Sequence, residues 1–145
     1  MELDILYQLL LAILLGALIG LEREIKRKGA GLQTYTLVSL GSCLFTIVAV
    51  KMFEIFIAIT GANFDPSRII QAVAIGIGFV AAGVVFRQEA GIAGLTTAAG
   101  LWVTAAIGVI AGVKLYTLAI IATILSLLVL IVFGSLEKRI FEKKQ

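Results

Sequence analysis

Polar side chains able to bind or do chemistry are few in this sequence, and most stand beside long apolar runs. Glu22 and Arg23 follow the first apolar run directly, and Glu22 is placed to pair with Lys26 four residues later. Thr96 and Thr97 open a later run, where they are either helix caps or hydroxyls of a small polar site. Because charged and polar groups beside a membrane span are costly, each of them is expected to have a structural or binding role.

A second polar segment precedes the third apolar run. Asp65 has the chemistry of a helix N-cap, and the proline that follows it suits the first helical position. Arg68 and Gln71 are three residues apart, so they share a helix face that continues to Gly78 and Ala82. We expect that face to look into the bundle, where it either binds a partner helix or lines a polar opening.

The residue inventory favours no enzymatic chemistry. The sequence contains no histidine and one cysteine, Cys43, which stands in an apolar run. No nucleophile with a base and an orienting group is recognisable, and neither is a phosphate-binding loop or a pair of intramembrane carboxylates. We therefore predict that the protein is not an enzyme and has no cofactor and no metal site.

The composition predicts a membrane protein. Hydrophobic residues make up 61% of the chain and charged residues only 14%, whereas a soluble domain has roughly a quarter of its residues charged. A chain of 145 residues buries only about two-thirds of its surface, so the remaining apolar surface must face lipid. The net charge of +3 requires no nucleic-acid partner, because basic residues near membranes also contact anionic lipid heads.

Five apolar runs of near-spanning length predict an all-α bundle of five transmembrane helices in a single domain, 1–145. The fourth and fifth runs are separated only by Lys114 and Leu115, which predicts a tight antiparallel hairpin. The predicted spans are about 5–21, 34–53, 69–86, 95–113 and 116–136.

The distribution of basic residues predicts the orientation. One side of the predicted bundle has only Lys51, Arg68 and Lys114, and the rule that cytoplasmic loops are rich in lysine and arginine makes the other side cytoplasmic. Five spans then place the N-terminus outside and the C-terminus inside. The basic residues of the cytoplasmic side are Arg23, Lys26, Arg27, Lys28, Arg87, Lys138, Arg139, Lys143 and Lys144.

Small residues at four-residue spacing predict how the helices pack, because close backbone contact is a main source of helix association in lipid. They predict a tight centre of the first, third and fourth helices, with the fifth helix against lipid. The bundle has faces left to fill, so we expect a homo-oligomer, most simply a dimer. The glycines assigned to packing are Gly16, Gly20, Gly78, Gly83, Gly100, Gly108 and Gly112.

An ordered set of short motifs resembles the MgtC/SapB family of bacterial inner-membrane proteins. The set includes Gly16-x-x-x-Gly20-x-Glu22-Arg23, Gly31-Leu-Gln-Thr34, Asp65-Pro-Ser-Arg68, Gly76-Ile-Gly-Phe-Val-Ala-Ala-Gly83 and Gly94-Leu-Thr-Thr-Ala-Ala-Gly-Leu-Trp102. The resemblance runs from about residue 5 to residue 120. Where the family usually has arginine and histidine around Thr34, this chain has Gln33 and Tyr35.

The resemblance implies a multi-pass protein of the bacterial inner membrane that is linked to magnesium adaptation and virulence. It favours a regulator that contacts other inner-membrane proteins and membrane lipids. The alternatives are a magnesium or ion transporter, an accessory subunit of a magnesium transport system, and a scaffold that only self-associates. The residues expected to form a polar network, or a partner or ion site, between the first, third and fourth helices are Glu22, Arg23, Asp65, Arg68, Gln71, Thr96 and Thr97.

Overall fold

The protein is built almost entirely of helices. The structure, a computed structural model, describes residues 2–60, 65, 67–88 and 91–141. Pro66, Lys143 and Lys144, which entered the predictions above, lie outside these described residues. The helices are α1 (Glu2–Ile25), α2 (Leu32–Thr60), α3 (Ser67–Gly83), α4 (Leu95–Gly112), α5 (Tyr116–Leu128) and α6 (Gly134–Phe141), with a π-helical turn at Val129–Phe133 between the last two.

The predicted all-α class is confirmed, with one small addition between α3 and α4. Strands β1 (Phe86–Gln88) and β2 (Gly91–Ala93) pair antiparallel, with Phe86 opposite Ala93. The run of polar residues and glycines at this point suits a short ribbon better than a helix, because glycine weakens helices.

Four helical stretches of the described chain are long and apolar enough to cross a membrane: Glu2–Ile25, Leu32–Ile59, Leu95–Gly112 and Tyr116–Glu137. The last of these runs through α5 and the π-helical turn into α6. Helix α3 has 17 residues and falls short of the roughly 20 that a hydrocarbon core requires. The tight connection expected around Lys114 is present, since α4 ends at Gly112 and α5 begins at Tyr116, with Lys114 at a φ of 64°.

Helix α2 continues past its predicted end near residue 53 to Thr60. Its 29 residues make it roughly 44 Å long, which exceeds a hydrocarbon core of about 30 Å. The charges that suggested an end do not stop the helix, because Lys51 and Glu54 pair on its exposed surface at 2.6 Å. An i,i+3 ion pair of this kind supports a helix rather than interrupting it.

The tightly packed centre consists of α1, α2 and α4, so the prediction that α3 belongs to it was wrong. Gly16 of α1 and Gly108 of α4 both lie against Ser39 of α2. A Cβ atom at Gly108 would come within 2.2 Å of the Ser39 carbonyl oxygen, which means that the two backbones touch. Helix α2 offers a small-residue face of Ser39, Ser42, Cys43 and Thr46, whose hydroxyl and thiol side chains are as compact as the residues usually counted in such faces.

Helix α3 packs through Val73, Ile77 and Ala81, which follow one another at four-residue spacing. Its other face, with Arg68, Gln71 and Gly78, is exposed, so the expectation that this face looks into the bundle was wrong. The packing expected of Gly78 and Gly83 is also not seen within the described residues, because a Cβ at either would meet open space. Apolar side chains, rather than the glycines, supply the buried surface of this helix.

Two of the grooves between the described helices have mainly apolar walls. The first, of about 530 Å³, runs between α2 and α3, and its lining is apolar except for Ser42. The second, of about 280 Å³, lies between α1, α4 and the end of α5. Helix α5 itself buries only Ala119 and Thr123, as expected of a helix whose surface faces lipid.

Candidate functional site at the charged end of the bundle

The polar groups that the sequence singled out separate into two sets at opposite ends of the bundle. We call the end at which α1 ends, α2 and α4 begin and α5 ends the charged end. Between α1 and α2 the chain reverses through a short turn in which Arg27 has a positive φ of 50°. This turn places the basic residues that follow Glu22 around the ends of four helices.

Glu22 is a buried carboxylate held by two cations. Its side chain is 9% exposed, and its Oε1 lies 2.7 Å from the Lys26 ammonium, which confirms the predicted pair. Its other oxygen accepts a hydrogen bond from Nε of Arg23, which is itself buried. Cations in the last turn of a helix also interact favourably with its dipole. The cluster therefore has one carboxylate for two cations and retains a net positive charge.

Lys26 connects this cluster to the π-helical turn that follows α5. Its ammonium donates a hydrogen bond to the carbonyl oxygen of Leu130 at 3.0 Å. In an α-helix that carbonyl would accept from the amide of Gly134, but in this turn the Gly134 amide bonds to the carbonyl of Ile131. The Leu130 carbonyl thus does not accept from Gly134 but does accept from a side chain of α1.

Tyr35 joins α1, α2 and α4 in the interior of the charged end. Its side chain is fully buried, and its hydroxyl donates a hydrogen bond to the carbonyl oxygen of Thr97 at 3.0 Å. Gly20 and Gly100 make the slot that holds it: a Cβ at Gly20 would lie 3.0 Å from the Tyr35 Cβ, and one at Gly100 would lie 2.6 Å from the hydroxyl. Sequence reasoning noted Tyr35 only as a departure from a family pattern.

Glu24 satisfies the start of α2. Its Oε2 accepts a hydrogen bond from the amide of Leu32 at 3.0 Å, at the point where a helix leaves backbone amides unpaired. A negative charge there is also favoured by the dipole of α2. Glu22 therefore balances charge at this end, and Glu24 stabilises the start of α2.

Thr96 and Thr97 are not the caps of α4, because the helix begins at Leu95 after Gly94. Gly94 has a φ of 90°, a conformation that glycine adopts readily and that other residues rarely take. Thr97 is buried and accepts the Tyr35 hydrogen bond through its backbone carbonyl. Thr96 is exposed and lines the groove between α4 and α5.

Asp65, Arg68 and Gln71 lie at the opposite end, where α3 begins. Asp65 acts as the expected cap, since its carboxylate accepts a hydrogen bond from the amide of Ser67 at 2.9 Å. Hydrogen bonds from the Ser67 hydroxyl and amide, aided by the charge of Arg68, hold the pKa of Asp65 below its ordinary value of 3.8. Arg68 and Gln71 are exposed. These three residues are thus separated from Glu22, Arg23 and Thr97 by the length of the bundle.

Sequence reasoning missed Gln8. This residue connects the start of α1 to the end of α4, at the end of the bundle opposite the charged end. Its Nε2 donates a hydrogen bond to the carbonyl of Gly112 at 2.6 Å, in the last turn of α4. Carbonyls at a helix end have no partner in their own helix, so the amide supplies one. A single amide within the apolar run of α1 was the available signal, because polar groups within spans are costly unless paired.

These features define an all-helical membrane protein with buried polar contacts at both ends of its central helices. The chain matches the MgtC family over residues 9–139 and belongs to that family. No solved structure matches the chain.

Relatives at about 40% identity span most of the chain. It is 42% identical over 143 residues to YhiD of Escherichia coli K12, whose name describes it as a putative magnesium transporter, and the match covers 99% of this chain and 66% of that protein. It is 39% identical over 142 residues to protein SrpB of Synechococcus elongatus, covering 91% of this chain and 76% of that protein. It is 39% identical over 113 residues to protein MgtC of Brucella abortus, covering 78% of this chain and 44% of that protein.

Proposed function

We propose that this chain is a non-catalytic, multi-pass protein of a bacterial inner membrane that regulates other membrane proteins during adaptation to low magnesium. The charged end faces the cytoplasm, the N-terminus lies outside and the C-terminus inside. Membership of the MgtC family supports a membrane location. The excess of lysine and arginine in the turn after α1 supports the orientation.

The observation that best supports a regulatory role is the open face of α3. This helix buries only Ile77 and Ala81, while Ile75 and Phe79 are 75% and 85% exposed. Gly83 continues the same face at four-residue spacing, and a Cβ there would meet open space. A helix surface with glycines beside protruding apolar side chains lets another membrane helix approach closely and pack against it. The partner we propose is a helix of another membrane protein.

Magnesium transport is the second candidate, and the name of the Escherichia coli relative favours it. The charge balance at the charged end argues against a cation site there, because Glu22 is already paired with Arg23 and Lys26. A divalent cation approaching this cluster would meet a net positive charge in a poorly screened environment. Regulation by helix contact is therefore the better-supported proposal.

A photo-crosslinking amino acid placed at Phe79 tests the regulatory proposal in cells grown at low magnesium. The matched control is the same amino acid at Phe133, an exposed phenylalanine on the π-helical turn. We expect the probe at Phe79 to form adducts with other membrane proteins and the probe at Phe133 to form none. Adducts of the chain with itself alone would indicate a homodimer and contradict the proposed partner.

The functional test measures growth at low magnesium of a strain that lacks the endogenous gene and expresses a variant of the protein. Gly78→Leu adds bulk to the open face without touching the bundle, and Ala106→Leu adds the same bulk to an exposed position of α4. Gly78→Leu is expected to abolish rescue of growth at low magnesium, and Ala106→Leu to preserve it. Protein-dependent magnesium flux into liposomes, retained by Gly78→Leu, would favour the transporter instead.

Membrane-impermeant thiol labelling tests the orientation separately. The native cysteine, Cys43, is buried and is replaced by alanine. Two variants in this Cys43→Ala background each carry a single cysteine, Lys28→Cys at the charged end and Leu115→Cys at the opposite end. Labelling of intact spheroplasts is expected at residue 115 only. Labelling at residue 28 alone would reverse the proposed orientation.

A further inference from the structure

The ammonium group of Lys26 has a hydrogen-bonding position to spare. A lysine ammonium carries three N–H donors. One faces Glu22 Oε1 at 2.7 Å and a second donates to the Leu130 carbonyl at 3.0 Å. The side chain remains 33% exposed, so the third donor is accessible to an acceptor from outside the protein. Two fixed contacts hold the ammonium in place, which is the condition for binding a ligand without a large ordering cost.

Leu130, which accepts the bond from Lys26, also lines the groove between α1, α4 and the end of α5. This groove has a volume of about 280 Å³. It begins at the charged end, beside Thr96, and follows α4 to Val103, a distance of roughly 10 Å along the helix axis. Its walls are mainly aliphatic, and the small residues Ala99, Gly100 and Ser126 give it depth. The Lys26 ammonium, bonded to Leu130, therefore lies next to one lining residue of this apolar groove.

We propose that this groove binds one phospholipid with an anionic headgroup. The headgroup phosphate bonds to the free N–H of Lys26, and an acyl chain lies between α4 and α5. Basic pockets between transmembrane helices bind anionic headgroups in the same way. The inference depends on the membrane location of the protein and not on its proposed regulatory role.

The charge of the surrounding residues favours an anionic over a zwitterionic lipid. Glu22 neutralises one of the two cations that it contacts, Arg23 and Lys26. Arg27 and Lys28 follow in the exposed turn at the same end of the bundle, where Glu24 offsets one of their two charges. The field around Lys26 is therefore positive, and in a region of low dielectric constant it acts strongly on a phosphate.

The π-helical turn contributes directly to the proposed site. The Gly134 amide bonds to Ile131 and not to Leu130, and the Leu130 carbonyl accepts the hydrogen bond that orients the Lys26 ammonium. Gly134 lies beside the ammonium, since a Cβ at that position would be in van der Waals contact with Nζ at 3.6 Å. The groove between α2 and α3 provides a contrast within the same chain: its lining is apolar apart from Ser42, so it has no headgroup contact to select a lipid.

Native mass spectrometry of the full chain in detergent tests the proposal. The probes are phosphatidylglycerol and phosphatidylcholine with identical acyl chains, offered in equal amounts. The wild type is expected to retain one phosphatidylglycerol per chain in preference to phosphatidylcholine. Lys26→Gln is expected to weaken that binding about tenfold, the effect of one charge-assisted hydrogen bond. Lys51→Gln, which removes an exposed cation at the opposite end, is expected to leave it unchanged.

A second pair of variants tests the groove without altering any charge. Ala99→Leu fills the groove, whereas Ala106→Leu places the same side chain on an exposed part of α4 outside it. We expect Ala99→Leu to lose phosphatidylglycerol and Ala106→Leu to keep it. Equal retention of both lipids by the wild type, or full retention of phosphatidylglycerol by Ala99→Leu, would overturn the proposal.

Discussion

The hydroxyl of Tyr35 donates a hydrogen bond to the backbone carbonyl of Thr97 at 3.0 Å, across the fully buried interface of α2 and α4. Both residues lie in the first turn of their helices. The contact fixes the two helix starts to each other at the level of the Glu22 cluster. It exists because Gly20 and Gly100 leave a slot of the width of a tyrosine ring between α1 and α4.

A double-mutant cycle on Tyr35 and Gly100 tests this slot. A methyl group at residue 100 would lie 2.6 Å from the Tyr35 hydroxyl, so Gly100→Ala is expected to lower the free energy of unfolding by about 1–3 kcal/mol. Tyr35→Phe alone should cost about 0.5–1.5 kcal/mol, the net value of one hydrogen bond. In the double variant the nearest ring atoms lie at 3.3 and 3.4 Å, so the 2.6 Å overlap is removed and only a tight contact with the ring is left.

Unfolding in detergent micelles measures the three variants against the wild type. The double variant should be more stable than the sum of the two single effects predicts, by at least about 0.5 kcal/mol. Strictly additive effects would show that the tyrosine hydroxyl does not restrict the size of the side chain at residue 100.

Removing the buried carboxylate should destabilise the charged end. Glu22→Gln keeps the shape of the side chain but leaves Arg23 and Lys26 without a counter-charge. Loss of one partner of a buried ion pair costs about 3–5 kcal/mol, and we expect a value near 3 because Lys26 is one-third exposed.

Glu54→Gln is the matched control for this substitution. It breaks the ion pair with Lys51 on α2, in which both side chains are exposed. Exposed pairs contribute at most about 1 kcal/mol, so this variant should unfold almost as the wild type does. A Glu22→Gln variant no less stable than Glu54→Gln would mean that the Glu22 cluster is as well solvated as a surface pair.

Much of the helical framework follows from the sequence, because uninterrupted apolar runs determine α1, α4 and α5. The end of α2 was predicted too early, since a composition argument treats Lys51 and Glu54 as polar breaks and does not see that they neutralise each other. The π-helical turn at Val129–Phe133 lies in a run that reads as continuous α-helix. Lys26, far away in the chain, donates a hydrogen bond to a carbonyl within this turn.

The candidate site was predicted in part. Glu22 and Lys26 were paired correctly because their i,i+4 spacing is local. Tyr35 and Gln8 depend on which helices meet, and this was inferred from glycine spacing alone. That rule counted the glycines of α3 and overlooked the serines, cysteine and threonine of α2, so it placed the wrong helix at the centre. Asp65, Arg68 and Gln71 were consequently assigned to a network that their position at the opposite end excludes.

The cap of α3 should be sensitive to acid. The pKa of Asp65 is lowered in the folded protein, so its charge stabilises the fold above its ordinary, unfolded pKa of 3.8, and this contribution is lost as the pH falls through the lower, folded value. Asp65→Asn retains a hydrogen-bond acceptor but has no charge to lose. The wild type should therefore have the higher Tm at neutral pH, and the difference should shrink below about pH 4. A difference in Tm that stays constant down to pH 2.5 would rule out a contribution from the charge.

Two Gly→Ala substitutions distinguish glycines that the packing requires from glycines with room to spare. At Gly108 the new methyl group would meet the Ser39 carbonyl at 2.2 Å, and a backbone atom cannot rotate away as a side chain can. Gly108→Ala must therefore separate α2 from α4, and we expect a loss of about 3 kcal/mol in the free energy of unfolding. Gly41, on α2, has open space around its Cβ direction. Gly41→Ala should gain about 0.5–1 kcal/mol from its better helix propensity. Thermal unfolding of both variants in the same detergent compares them directly, and equal effects would mean that α2 and α4 are not in backbone contact.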